Sequence, residues 1–466
     1  MKKLFFLLCA CLMCTLASNA QNREVLEDSV IVGGISHSML EMVMGADQMK
    51  ADEKLLVHWS YAELMKDVSR EHLEPYFILH KEANFNMIRN WTGASTSENF
   101  YDLCDEYGML VWNDFWISTE GFNLDPLDED LFMRNATDVV RRFGHHPSIV
   151  MWCPRNEGYA TETLERRLSA MIHKEDVTRR YHPNSRNCNM RWSGPWHYYK
   201  DASVYYYYDA HGFNSEIGSP SVPTAASMRK MMPEADQWPI SDTWHYHDLL
   251  NGLDEYVAAV DRLYGKAENL DDFCRKVQFI NYDSYRAMFE SWNSVMWADG
   301  SGVLLWMSHP AWPSVEWQTY SWDYETFGSY YGSQKACEPV HVQMNLDDHD
   351  VVVLNTTTSS LEDMKVTLTC YDLAGKKLSA KAVKDIDVPA NSRLDLFKAE
   401  LEGLKGNYMV RLVLSDRKGK VITVNDYMMR GEGTEDFKAF NSVENAKVRM
   451  RKGSAARYEI TNVSGN

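Results

Sequence analysis

The stretch SIVMWCPRNEG, Ser148–Gly158, decides the fold. A continuous apolar run, suited to a strand covered on both faces, stops abruptly at Arg155-Asn156-Glu157 and so presents an acid beside an amide. GFNSEIG, Gly212–Gly218, has the same build and places Glu216 at a similar exit. Two buried strands that each end in a glutamate raise the question of whether the two acids meet.

The sequence between these stretches points to how they would meet. NFNMIRNW (84–91) reads as a strand, and SENFYDLCDEYG (97–108) as a helix closed by Gly108. MLVWNDFW (109–116) follows as a strand, then DLFMRNATDVVRRFG (130–144) as a helix. Beyond SIVMWC comes the helix TETLERRLSAMIHKE (161–175). Further strands are expected at RNCNMRW (186–192), ASVYYYY (202–208), GFNSEIG and GVLLWMSH (302–309), with a helical insertion, LDDFCRKVQFINYDSYRAMFESW, before the last. Alternation of apolar strands with amphipathic helices from about Ser29 to His309 predicts an α/β fold, a (β/α)8 TIM barrel, whose first strand, at VIVGGISHSMLEM (30–42), is marked by family resemblance alone. On that count Glu157 and Glu216 end the fourth and seventh strands and face each other across the C-terminal mouth, where barrel active sites lie. Two carboxylates flanking one bond are the equipment of glycoside hydrolysis, retaining or inverting according to their separation. Either glutamate alone would read as a helix-terminal charge or an ion-pair partner.

From about Val340 the texture changes to short alternating strands joined by turns such as Asp372–Gly375, the pattern of an immunoglobulin-like β-sandwich. A linker after Arg430 leads into AKVRMRKGSAARYEITNVSGN, read as the start of a second sandwich. The expected domains are a secretory leader over 1–20, a barrel over 21–338, a sandwich over 339–430 and a partial second sandwich over 431–466. The leader reading rests on Lys2-Lys3, an apolar core and small residues ending at Ala20, and predicts an exported protein, periplasmic or extracellular.

With 66 acidic against 48 basic residues the net charge is −18, which argues against nucleic acid or an anionic membrane as partner. Of the nine cysteines, the six beyond the leader are scattered, show no C-x-x-C pair or metal-ligand spacing, and are expected to be mostly buried free thiols. Fifteen tryptophans and twenty-five tyrosines suit a large core, or clefts in which pyranose faces stack on aromatic rings. No phosphate loop or metal triad is present, and no cofactor is required.

The segments NFNMIRNW, YDLCDEYGMLVWNDFW, HHPSIVMWCPRNEG, GFNSEIGSPSVPTAASMRKMMP and GVLLWMSHPAWPSVEWQTY resemble glycoside hydrolase family 2. Within it they are similar to the branch of exo-β-D-glucosaminidases, β-mannosidases and mannosylglycoprotein endo-β-mannosidase, from about His80 to Tyr427. The resemblance implies a retaining hydrolase with an oligosaccharide or glycan as substrate. It implies an acid/base at Glu157 of the Asn156-Glu157 pair and a nucleophile at Glu216 of the Ser215-Glu216 pair. On this reading Glu157 is expected in its acid form, Glu216 ionised, and Asn156 on a sugar hydroxyl. Arg89 orients the nucleophile, holds a hydroxyl or forms an internal ion pair. Asp114 and Trp116 are expected to touch substrate, and Trp306 to floor the sugar site or serve the core. Trp244 and His247 are expected at the cleft rim, and Asp114 or Asp209 would receive the amino group of a glucosaminide.

The family's usual N-terminal sandwiches are not recognisable, and residues 21–75 match poorly, so a minimal or truncated member is expected. A non-catalytic glycan-binding protein is the alternative.

Overall fold

The computed structural model describes residues 68–119, 125–188, 190–248, 252–310, 312–443, 447–452 and 458–462. The leader and the expected first strand at 30–42 lie outside the described residues. The chain divides into two compact units, one of the described residues to Tyr256 with Glu268–Glu338, the other of Val257–Ala267 with Pro339 onward.

In the first unit α1 (Arg70–Glu82) leads into β1 (Met87–Asn90), α2 (Glu98–Tyr107), β2 (Leu110–Asp114), α3 (Glu129–Phe143), β3 (Ile149–Cys153), α4 (Glu162–Glu175), β4 (Arg180–Tyr181) and β5 (Met190–Arg191). β6 (Gly212–Ile217), α5 (Ala225–Met231), α6 (Asp242–Tyr246), α7 (Gly252–Tyr264), α8 (Leu270–Ser294), β7 (Gly300–Leu305) and α9 (Gly328–Ala336) follow, with α7 belonging to the second unit from Val257 onward. The helix starts obey local chemistry. Ser97, Asp128 and Thr161 each accept a hydrogen bond from a first-turn backbone N–H of α2, α3 and α4, satisfying a donor that has no partner within the helix. Gly108 ends α2 at φ +67, a left-handed conformation that costs glycine nothing.

All seven strands pair in parallel, in two arcs ordered β1-β2-β3-β4 and β5-β6-β7. This is the TIM-barrel architecture, with the helices supplying the outer layer. Between β1–β3 and α2–α4 lies a core of Phe100, Val111, Phe115, Val140, Ile149, Trp152, Leu164 and their neighbours. Phe115 and Trp152 stack there with ring centroids 5.7 Å apart. No described helix is long and apolar enough to cross a membrane.

Two strand expectations needed correction. ASVYYYY is not a strand: Tyr205–Asp209 is a single helical turn of π type. Tyr205 and Tyr206 point inward together while Tyr207 and Tyr208 are exposed together, a pairing incompatible with the two-residue alternation of a strand. The missing strand is β4, two residues long and too short to carry a periodic signal. One loss and one gain leave Glu157 after the same strand, and Glu216 in the same strand, as expected.

In the second unit β8 (Val340–Met344), β9 (Asp350–Asn355), β10 (Leu361–Asp372), β11 (Lys377–Val388), β12 (Ser392–Lys398), β13 (Asn407–Ser415) and β14 (Val421–Arg430) form antiparallel sheets ordered β11-β10-β13-β14 and β12-β9-β8. Val342, Val351, Val353, Val366, Leu368, Val410 and Leu412 belong to one buried core, the filling of a sandwich. At the β10–β11 turn Asp372 Oδ1 accepts from the N–H groups of Ala374 and Lys376, and Gly375 takes φ +76. β15 (Val448–Lys452) and β16 (Tyr458–Asn462) make an antiparallel pair beyond it.

The six described cysteines are unpaired; Cys104, Cys153, Cys274 and Cys370 are buried, as thiols used for packing should be, and Cys188 is exposed.

Candidate active site

The abrupt end of β3 has a structural cause. Arg155 turns back to donate to the carbonyls of Ser118 (2.9 Å) and Tyr159 (3.0 Å), and the Asn156 N–H donates to the Ile117 carbonyl. The exits of β2 and β3 are thereby stapled together, and Asn156 and Glu157 are thrown across the strand ends. Glu157 takes φ +38, an uncommon region for a residue with a side chain, costing on the order of 1–3 kcal/mol. It is held there by its own N–H donating to Ser185 Oγ at 2.9 Å.

Glu216 arrives from β6. Its N–H donates to Asn214 Oδ1, and its carbonyl accepts from the Gly194 N–H at 2.6 Å. Beyond it, Gly218 passes so close to β7's exit that a Cβ there would lie 2.0 Å from the Trp306 carbonyl oxygen, an approach only glycine permits.

Arg89, from β1, joins the two exits. Nη1 donates to Glu216 Oε1 at 2.6 Å, and Nη2 donates to Asn156 Oδ1 at 2.6 Å and Asp114 Oδ2 at 2.7 Å. The β1, β2, β3 and β6 ends therefore meet on one guanidinium, buried with its partners and over the Trp112 ring at 5.4 Å. Burial alone would lower the pKa of Arg89, but the Asp114 and Glu216 charges outweigh it and hold the group above its ordinary value. Burial pushes Glu216 up to about 7; Arg89 pulls it back and the nearby Glu157 carboxyl pushes it further. The environment of Glu216 therefore favours its neutral form more than the expectation of an ionised nucleophile assumed.

A second constellation holds Glu157. Ser193 Oγ donates to Oε1 at 2.6 Å and Arg186 Nη2 donates to the same oxygen at 2.7 Å. Neither partner was legible beforehand, because both lie on irregular segments flanking the two-residue β5. The pairing of a serine and arginine in HPNSRN with RWSG was the available signal.

The remaining candidates divide. Trp116 and Trp306 are half-buried at strand ends; Trp306 meets Trp91 edge-on at 5.0 Å, and the Trp116 indole lies against Gly93. Asp114 is not open to a ligand: its side chain is fully buried and consumed by Arg89 and the Thr92 N–H. Asp209 is likewise fully buried, paired with Arg191, and pushed up to about 6 by burial against that cation's pull. Trp244 is corrected from rim to core, being wholly buried against Phe273 with its indole N–H on the Asp236 carbonyl at 3.1 Å. His247 is corrected too: it is buried, its Nδ1 lies 2.7 Å from the Pro313 carbonyl and its ring stacks on Trp312, so it braces a loop. Burial lowers its pKa. Among the described residues no cluster of His, Cys, Asp and Glu is fit to hold a metal.

Residues 62–293 match the family model described as glycosyl hydrolases family 2, TIM barrel domain, and residues 347–430 match a mannosidase Ig/CBM-like domain. The match begins upstream of His80, where the sequence likeness first becomes readable. Mannosylglycoprotein endo-β-mannosidase of Lilium longiflorum is 29% identical over 82% of this chain and 46% of its own length. Exo-β-D-glucosaminidase of Streptomyces avermitilis is 28% identical over 75% of this chain and 42% of its own. The chain thus spans less than half the length of these relatives. Among solved structures, the β-D-mannosidase of Dictyoglomus thermophilum aligns at TM-score 0.70 with 25% identity, over 80% of this chain and 48% of that one. The exo-chitosanase CsxA of Amycolatopsis orientalis shares the fold at TM-score 0.74 and 21% identity, over 83% and 52%. With both domain types matched in order along a chain of this architecture, the protein belongs to glycoside hydrolase family 2.

Proposed function

We propose that the chain is a retaining β-glycoside hydrolase acting on β-mannosides or β-glucosaminides of oligosaccharides, with Glu216 as nucleophile and Glu157 as acid/base. The observation that carries this reading is Arg89 gripping Glu216 and Asn156 at 2.6 Å each, which brings two buried carboxylate-bearing strand exits to one place. Retention follows from the roles. Glu216 Oε2, the oxygen not held by Arg89, attacks the anomeric carbon and forms an ester bond. The bond to the leaving oxygen breaks, its electron pair passes to that oxygen, and Glu157 supplies the proton. Glu157, now a carboxylate, takes a proton from water as the water oxygen bonds to the anomeric carbon and Glu216 is released. With Oε1 held by Arg186 and Ser193, Glu157 has Oε2 to carry the proton. Asn156, whose Nδ2 donates one bond to Thr119, has its second N–H for a sugar hydroxyl. The leader-like residues 1–20 support export as the setting.

The test is turnover of aryl β-mannosides and β-glucosaminides by the wild type and by Glu216→Gln. Hydrolysis that is lost in the variant supports the reading. Glycan binding without turnover by the wild type overturns it in favour of a binding protein.

A further inference from the structure

The segment Arg191–Gly194 is anchored with unusual thoroughness for one that carries an exposed indole. Arg191, paired with buried Asp209, donates to the carbonyls of Trp192 and Gly194, and Asn214 Nδ2 also donates to the Gly194 carbonyl. Ser193 holds Glu157, and the Gly194 N–H holds the Glu216 carbonyl. Between these anchors the Trp192 side chain is 59% exposed. One face of its ring lies 4.4 Å under the Arg186 guanidinium, the group that also donates to Glu157. Arg186 is itself placed by buried Asn184, whose Oδ1 accepts from the N–H groups of Arg186 and Asn187. A large apolar ring left in water beside a buried acid gains little for folding beyond its contact with Arg186, whereas a pre-positioned ring binds a flat ligand without an ordering cost.

Its side of the site is identifiable. An acid that protonates the leaving oxygen stands within hydrogen-bond reach of it, so groups gathered around Glu157 border the leaving group rather than the sugar attacked at Glu216. The charge then selects the ligand. Arg186 brings a cation to this border, while Asp114 and Asp209, the two acids read from the sequence as receivers for an amino group, are both buried in ion pairs with arginines. An ammonium-bearing sugar meets repulsion there and a neutral one does not.

We propose that Trp192 and Arg186 form the leaving-group subsite, taking a neutral pyranoside by stacking on the indole and hydrogen bonding to the guanidinium, and disfavouring a cationic amino sugar. This rests on the hydrolase reading above. The test compares kcat/KM for oligosaccharides with that for the matching glycosyl fluoride, whose leaving group does not reach the subsite. In Trp192→Ala the oligosaccharide-to-fluoride ratio is expected to fall about tenfold, the worth of one lost stacking contact. In Arg186→Gln the wild type's preference for an N-acetylated over a free-amine leaving sugar at pH 5 is expected to shrink. An unchanged ratio in Trp192→Ala, or an unchanged preference in Arg186→Gln, overturns the subsite. Failure of the wild type to turn over any glycosyl fluoride would instead overturn the hydrolase reading.

Discussion

Arg89 donates to Glu216 Oε1 at 2.6 Å from a side chain buried as deeply as its partner, so one guanidinium opposes the burial that favours the neutral form of the proposed nucleophile. The same guanidinium reaches Asn156 and Asp114 with its other nitrogen. The planar fork spreads these donors over separate, fixed nitrogens, a geometry that the single nitrogen of a lysine ammonium does not reproduce.

Arg89→Lys should therefore lower kcat/KM on aryl glycosides by about 10²-fold through misplacement of Glu216 and Asn156. Arg89→Met should in addition cost about 3–5 kcal/mol of stability, because buried carboxylates lose their cation. Steady-state kinetics and urea unfolding check the pair of outcomes.

Glu216 carries a pH signature. Its folded-state pKa, about 7, lies above the ordinary carboxyl value of 4.5, so the native state binds the proton more tightly than the unfolded chain. The stability this contributes is fully present below pH 4.5 and is lost as pH rises through about 7. Glu216→Gln, which is neutral at every pH, should raise Tm relative to the wild type at pH 8 and raise it less at pH 5. For the wild type, kcat/KM should climb with pH through about 7 as the attacking carboxylate forms.

Glu157→Ala should keep hydrolysing substrates whose leaving groups need no proton, and azide should accelerate it by replacing the activated water. Product analysis should show a β-glycosyl azide. Activated and ordinary substrates equally dead, with no azide effect, would contradict the role given to Glu157.

Trp244→Ala should destabilise the protein by about 3–5 kcal/mol, since the ring is wholly buried against Phe273. Trp244→Phe, which retains most of the volume, should leave KM for aryl glycosides unaltered. A raised KM with unaltered Tm in Trp244→Phe would return this residue to the cleft.

How far the sequence could be read follows from where periodicity exists. Gly108 announces the end of its helix because capping is local chemistry. The exits at Glu157 and Glu216 stand out as a pair, because either acid alone has ordinary structural uses and two at facing strand ends do not. β4, two residues long, offers no period to detect, and Ser185, Arg186 and Ser193, which complete the surroundings of Asn156 and Glu157, lie on irregular segments before and after β5, where no pattern marks a role. The tyrosine run at 205–208 misled because β-propensity describes half-buried surfaces, and here burial falls on consecutive residues instead. Trp244 and His247 misled for another reason: an aromatic near a strand exit has the same composition whether it lines a cleft or fills a core.

The most direct measurement is covalent trapping with a slow, activated donor such as a 2-deoxy-2-fluoroglycosyl fluoride, followed by peptide mass mapping and by NMR of the first product formed from an ordinary substrate. The account predicts a single adduct on Glu216 and a product that keeps the β configuration. An adduct on another residue, or an α-configured first product, would contradict it.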